Sequence, residues 1–240
     1  SDSVVETTVV KKAGELYGPF LGDAKSQLWE SYNEVDGEHS QLTDSYGSSC
    51  DYLGSPYINK CGFNAAHSQL SFLFNTNLTK PTTTHSNHLH TPHLNTTSIT
   101  FTPPSPGASE PLGNGTLYVF DTKSFVVYGG GVWDDVLGLQ QIGYLYAPSG
   151  CDGTGKKCPL VIAFHGCEQT LDDIGETFVR HSGYVEVAEA NDIIVLFPQA
   201  KDTLLNPKGC WDWWGYAGTA YASNIGSQTL TVARMMQAIS

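Results

Sequence analysis

The sequence predicts an α/β chain with a mostly parallel sheet and helices on both faces. Three observations carry that expectation. "PLVIAFHG" (159–166) and "DIIVLFPQA" (192–200) are continuous apolar runs, the pattern of strands covered on both faces. Between them, residues 170–190 place Leu171, Ile174, Phe178 and Val179 on one helical side. A last helical stretch, "SQTLTVARMMQAIS", follows the second run, so strand and helix alternate as a parallel sheet requires.

The elements before that core follow in order. Residues 8–20 set Val9, Ala13, Leu16, Tyr17 and Phe20 at helical spacing. "QLWESYNEVDGEH" (27–39) alternates loosely, as an edge strand does, and "FNAAHSQLSFLF" (63–74) reads as a helix with Ala66, Leu70, Leu73 and Phe74 inward. Residues 76–110 are rich in Thr, Pro, Ser, His and Asn and read as a linker or long insertion. Its His85, His88, His90 and His93 are taken as part of a polar linker rather than a metal centre, because ligands on a flexible segment are not preorganised. Order resumes at residue 116 with three short aromatic and β-branched strands, "TLYVFD", "SFVVYGG" and "IGYLYAP".

Charge narrows the partners. Twelve Lys and Arg stand against 24 Asp and Glu, a net charge of −12, which repels phosphate backbones and anionic lipid. Nucleic-acid and membrane partners are therefore set aside. None of the six cysteines forms a C-x-x-C pair, which argues against zinc, and neither metal nor cofactor is expected. Cys50 and Cys61 bracket one short loop and Cys151 and Cys158 another, which leaves Cys167 with Cys210. Disulfides of this kind imply an oxidising compartment. Three N-x-[ST] sequons, at Asn77, Asn95 and Asn114, agree with secretion. The chain starts at Ser1 without a signal peptide, so it is expected to be a processed or cut chain with sequence upstream.

The first apolar run breaks into His165-Gly166-Cys167. Ligands sit beyond the carboxyl ends of parallel strands. Glycine lets the backbone turn there, and the amides just past it can face an anionic oxygen, the layout of an α/β-hydrolase oxyanion loop. A strand-ending turn closed by a disulfide accounts for the same tripeptide, and the residues alone leave both readings open.

"VIAFHGCEQT", "IIVLFPQA", "NPKGCWDWWGY" and "SSCDYLGSPYINKCGFNAAHSQLSFLF" together resemble the extracellular polyhydroxybutyrate depolymerases, in particular the single-domain type with circularly permuted hydrolase order. The resemblance covers most of residues 1–75 and 116–240. It implies an α/β-hydrolase-like domain in two halves, with the triad acid and base on 1–75, a linker or insertion at 76–115, and the oxyanion loop on 116–240. It implies a Ser-His-Asp triad in which His39, in "DGEHSQLTD", is the base and Asp2, in "SDSVV", orients it. The Cys167 amide becomes an oxyanion donor, a Cys167–Cys210 disulfide holds its loop against "CWDWW", and Trp213 stacks on the polymer chain.

A serine hydrolase needs its nucleophile on a G-x-S-x-G elbow. The nearest stretch, Gly47-Ser48-Ser49-Cys50-Asp51, lacks the second glycine, so Ser48 and Ser49 are poor candidates. The family's order puts the elbow on an N-terminal block, expected either in cis or as a separate chain. Without that block's strands the sheet is expected to have unpaired edges, and the isolated chain not to form a stable monomer. The substrate class implied is a polyester, above all poly(3-hydroxybutyrate). Feruloyl or acetyl esters use the same machinery. A secreted glycoprotein that binds polymer or carbohydrate through its Trp cluster is the non-catalytic alternative.

Overall fold

The computed structural model describes residues 2–21, 35–82, 106–126, 136–151 and 156–239. They divide into two units: Ser1–Leu78 with His181–Gly183, and Thr79–Arg180 with Tyr184–Ser240.

The first unit begins with helix α1 (Thr7–Leu21), in agreement with its periodicity. Its apolar stripe is nonetheless exposed: Val9, Leu16, Tyr17 and Phe20 all face solvent, Phe20 at 81%. Three short strands follow: β1 (Gln41–Thr43), β2 (Ser48–Ser49) and β3 (Ile58–Lys60), in the order β1-β3-β2 with parallel pairing. Helix α2 (Ala65–Leu73) is capped by Asn64, whose side-chain oxygen accepts from the His67 amide at 2.8 Å. Ala66 and Leu70 are buried, as expected, and each such burial contributes about 1–3 kcal/mol. Leu73, expected inward, is 69% exposed, because it ends the helix. Most of the expected strand over 27–39 lies outside the described residues, and Val35–Glu38 carries no strand.

The second unit is a five-stranded sheet in the order β4-β5-β6-β8-β7. Its strands are β4 (Ser109–Leu112), β5 (Gly115–Asp121), β6 (Ile142–Ala147), β7 (Leu160–Ile162) and β8 (Ile194–Phe197). Regular structure thus starts at Ser109, inside the stretch read as linker. A Gly113-Asn114 turn folds β4 back onto β5, and Gly113 holds φ +61. "SFVVYGG" does not start as a strand: Thr122–Phe125 is a 3₁₀ turn capped by Asp121, and residues 127–135 lie outside the described residues.

The expectation of a mostly parallel sheet fails here. β4·β5, β5·β6 and β6·β8 are antiparallel, and only β7·β8 is parallel. Connectivity accounts for two of these pairs: β7 and β8 are joined through a helical crossover, and the two-residue turn between β4 and β5 imposes antiparallel pairing. β7 is also half-buried along its length rather than covered on both faces, because it is an edge strand among the described residues.

That crossover is three short helices, α3 (Leu171–Ile174), α4 (Thr177–His181) and α5 (Tyr184–Asn191), where the periodicity suggested one. Gly175 at φ +57 and Gly183 at φ +91 interrupt it, a conformation that L side chains rarely adopt. Neighbouring residues of β8 show that both faces are covered. Phe197 meets Phe178 and Tyr184 edge-on, while Leu196 packs with Val232 and Met235 of α6 (Ser227–Ile239).

Two tyrosines on one face of β6 reach carboxylates on the crossover. Tyr144 Oη donates to Glu176 at 2.9 Å, and Tyr146 Oη donates to Glu189. Burial raises the Glu176 carboxyl and, with Glu176 itself, the Tyr144 phenol. Arg180 completes the group through Nε to Glu176 Oε2 at 2.6 Å. Tyr144→Phe therefore strands a buried acceptor, and urea denaturation is expected to show a loss of about 1–3 kcal/mol. An unchanged midpoint would mean that the hydroxyl is dispensable.

Candidate active site

The first cluster lies in the first unit. His39 ends the loop that leads directly into β1, and that loop is braced from below. The Cys50–Cys61 disulfide ties the next turn to β3, and the Glu38 amide donates to Cys50 O at 2.9 Å. A Cβ on Gly37 would sit 3.1 Å from Leu42 Cδ2 and 3.3 Å from Cys50 Sγ, so a side chain there would press on both by a few tenths of an ångström.

His39 Nδ1 stands 2.8 Å from Asp2 Oδ2 across 37 residues of sequence. The other Asp2 oxygen accepts from the amides of Val4 and Val5, both at 2.8 Å, in an Asx turn that fixes the carboxylate ahead of α1. Burial works to raise the Asp2 carboxyl, but the Val5 amide, the His39 ring and the Val4 amide outweigh it and hold it below its ordinary value. Glu38 Oε2 gathers Ser3 N, Ser3 Oγ and His39 N, and the Ser3 amide leads in lowering its carboxyl. Nδ1 is thus committed as a donor to carboxylate, while Nε2 meets no partner among the described residues and the ring is partly open to solvent. That tautomer is the one a general base needs.

The second cluster lies in the second unit, past β7. His165 is buried, and both ring nitrogens are used: Nε2 accepts from the Ala200 amide at 3.0 Å, and Nδ1 lies 2.7 Å from Gly166 O. The Trp211 indole donates to His165 O at 3.1 Å, and Gly166 N–H donates to Gln169 Oε1 at 2.8 Å. Glu168, at φ +58, sends its amide to Lys208 O at 2.8 Å, and its carboxylate pairs with Lys208 Nζ at 3.2 Å. The Cys167–Cys210 disulfide joins the same two segments. The amide of the exposed Cys167 finds no acceptor among the described residues. An uncommitted, solvent-facing N–H in a fixed turn can receive an oxyanion.

Behind the turn, Asp202 lies near Asp173 and Asp172, and burial together with those charges pushes its carboxyl up to about 6. Gly209, at φ +54, passes so close to Thr170 and Asp202 that no side chain fits there.

The three clustered tryptophans separate by role. Trp211 is half-buried against Phe164, with ring centroids 4.9 Å apart, and serves as packing. Trp213 is 71% exposed and meets Trp214 edge-on at 5.2 Å. Their loop is fixed by Asp212, whose carboxylate accepts from the amides of Trp214, Gly215, Tyr216 and Ala217 at 2.6–3.3 Å. Gln228 on α6 grips it by accepting from Asp212 N and donating to Tyr216 Oη, and it donates also to Leu137 O. A cavity of about 410 Å³ opens beside Phe164 and Trp211, with Tyr221 and Val232 among its walls.

Among the described residues the structure brings together His39 with Asp2, and Cys167 with Cys210; Cys151 pairs with Cys158. Ser48 and Ser49 form β2, an edge strand and not an elbow. Asn77 and Asn114 are exposed, the latter at the β4–β5 turn, whereas Asn95 and the four linker histidines lie outside the described residues. Sequence reasoning gave no role to His165, Gln169, Asp212 or Gln228. The available signal was a histidine and a glutamine embedded where apolar runs end.

No family profile matches the chain. A poly(3-hydroxybutyrate) depolymerase of Delftia acidovorans is 30% identical over 241 residues, which cover 100% of this chain and 40% of that protein. A polyhydroxybutyrate depolymerase of Talaromyces funiculosus is 28% identical over 232 residues, covering 91% of this chain and 57% of that protein. Among solved structures, the PHB depolymerase from Penicillium funiculosum matches with a TM-score of 0.63 and 27% identity over 84% of this chain and 57% of that one. A serine-to-alanine variant of a PHB depolymerase complexed with an R3HB trimer matches with the same figures. The chain thus spans 40–57% of the length of these relatives. The similarities support the polyhydroxybutyrate depolymerase family and a mixed α/β fold.

The lowered Asp2 carboxyl sets a pH window. Its contribution to holding residues 2–5 is complete above the ordinary value of 3.8 and is lost as pH falls through the folded value. A carbon-detected titration of Asp2 is expected to give a midpoint below 3.8, with the Val4 and Val5 amides losing protection in the same step. A midpoint at or above 3.8 would remove the contact from the account.

Proposed function

We propose that the chain is part of a secreted serine carboxylic-ester hydrolase of circularly permuted α/β-hydrolase order, acting on poly(3-hydroxybutyrate) or a similar polyester. The observation that carries this reading is the 2.8 Å contact between His39 Nδ1 and Asp2 Oδ2, with Nε2 left open. The similar proteins, both polyhydroxybutyrate depolymerases, support the substrate class.

In this mechanism His39 takes the proton of a serine hydroxyl, and Asp2 orients the ring and stabilises the imidazolium. The serine attacks the ester carbonyl, the Cys167 amide receives the developing negative charge, and the alcohol leaves with the proton from His39. Water then repeats the sequence on the acyl-enzyme. The serine belongs to a segment that these 240 residues do not carry. Trp213 offers a rigid apolar face to the polymer chain. Three disulfides support an oxidising, extracellular setting, and the exposed Asn77 and Asn114 are open to glycosylation there.

The test combines the chain with a nucleophile-bearing segment and measures hydrolysis of short-chain esters and of polyester film. Asp2→Asn is expected to lower kcat by roughly 10⁴-fold, and His39→Ala by at least as much. Trp213→Ala is expected to slow attack on film while sparing soluble esters. Full activity in His39→Ala would sink the triad assignment. Film binding without hydrolysis, lost in Trp213→Ala alone, would favour a polymer-binding role, for which the exposure of Trp213 is the supporting observation.

A further inference from the structure

We propose that His165 is a positioning residue that aims the oxyanion donor by holding one peptide plane. The inference rests on the reading of the Cys167 amide as that donor.

The Gly166 carbonyl and the Cys167 N–H belong to the same peptide unit. That unit is planar and trans, so its C=O and N–H point in opposite directions. Whatever fixes the carbonyl also fixes the amide. His165 Nδ1 is 2.7 Å from Gly166 O, and the ring is in turn held at its far side. The Ala200 amide can only donate, so Nε2, at 3.0 Å, must be an unprotonated acceptor. The single ring proton therefore sits on Nδ1 and is donated to Gly166 O. A protonated ring would set two N–H groups against each other at Ala200. Burial keeps the ring neutral by pulling its pKa below the ordinary value, against the opposing pull of the Gly166 carbonyl and the Asp173 charge.

The neighbouring groups remove the remaining freedom. Gln169 holds Gly166 N–H, Trp211 holds His165 O, and Lys208 O holds Glu168 N–H. The peptide between Gly166 and Cys167 has a pinned carbonyl and a free amide. A hydrogen bond accepted at the carbonyl also polarises the unit and strengthens its N–H as a donor. His165 cannot serve as a base, since neither ring nitrogen is available. It acts through Cys167.

Two measurements test this. The first uses the 240-residue chain with ¹⁵N-labelled histidine rings. His165 is expected as the neutral Nδ1–H form, the minor tautomer of free imidazole, unchanged from neutral to mildly acid pH. A Nε2–H form, or a ring that titrates as a free histidine does, would overturn the proposal. The second uses the hydrolase assembled with its nucleophile-bearing segment. In His165→Asn the side-chain amide nitrogen replaces Nδ1 and keeps most of kcat. In His165→Gln the donor is carried past the carbonyl, and kcat is expected to fall roughly tenfold to a hundredfold at unchanged KM, short of the full loss of a donor. Equal losses in the two variants, or a change confined to KM, would count against positioning. If the unaltered assembly hydrolyses no ester, the proposed function fails, and the tautomer still decides whether His165 holds the plane.

Discussion

One turn of backbone, His165 to Glu168, sets the terms for the second unit. A turn at the end of an edge strand exposes peptide groups that must each find a partner or face water. Here the His165 carbonyl is held by Trp211, the Gly166 carbonyl by the His165 ring, the Gly166 amide by Gln169 and the Glu168 amide by the Lys208 carbonyl. The disulfide to Cys210 closes a 43-residue loop and removes the freedom of the two segments to drift apart in the unfolded chain. Between these held groups the Cys167 amide finds no acceptor among the described residues. Side-chain hydrogen bonds of this type each contribute modestly, about 1 kcal/mol. Their value here is geometric, since an electrostatic donor works only if it is already in place.

The first unit solves a related problem with different parts. A histidine on a loop has many rotamers, and an aspartate near a chain end is ordinarily frayed. The Asx turn over Val4 and Val5 and the Glu38 bridge to Ser3 hold the aspartate, and the 50–61 disulfide supports the histidine loop. Both clusters thus spend short polar contacts and a disulfide on small exposed segments, where little apolar surface is available to fix them.

The sequence revealed the elements better than their pairing. Buried runs such as Ile194–Phe197 and the amphipathic Ser227–Ile239 were plain from periodicity, because one residue's burial follows the next by fixed geometry. The parallel sense read from alternating strand and helix holds for β7 and β8 but not for the rest of the sheet, because apolar content marks burial and not strand sense; β4 and β5 are turned antiparallel at Gly113-Asn114. The crossover helix broke where Gly175 and Gly183 take positive φ, a local cost that composition hints at without locating. His39 and Asp2 were reached through resemblance, since 37 residues of separation carry no spacing rule. His165 was passed over, because a buried histidine with both nitrogens satisfied looks in sequence like any strand-end residue.

The central claim is that the turn past β7 leaves the Cys167 N–H uncommitted between the held amides of Gly166 and Glu168. Amide hydrogen exchange resolved to single residues measures this directly. The Gly166, Glu168 and Ala200 amides are expected to be protected, with Cys167 between them exchanging near the rate of an open peptide. Protection at Cys167, or equally fast exchange at all four, would contradict the account.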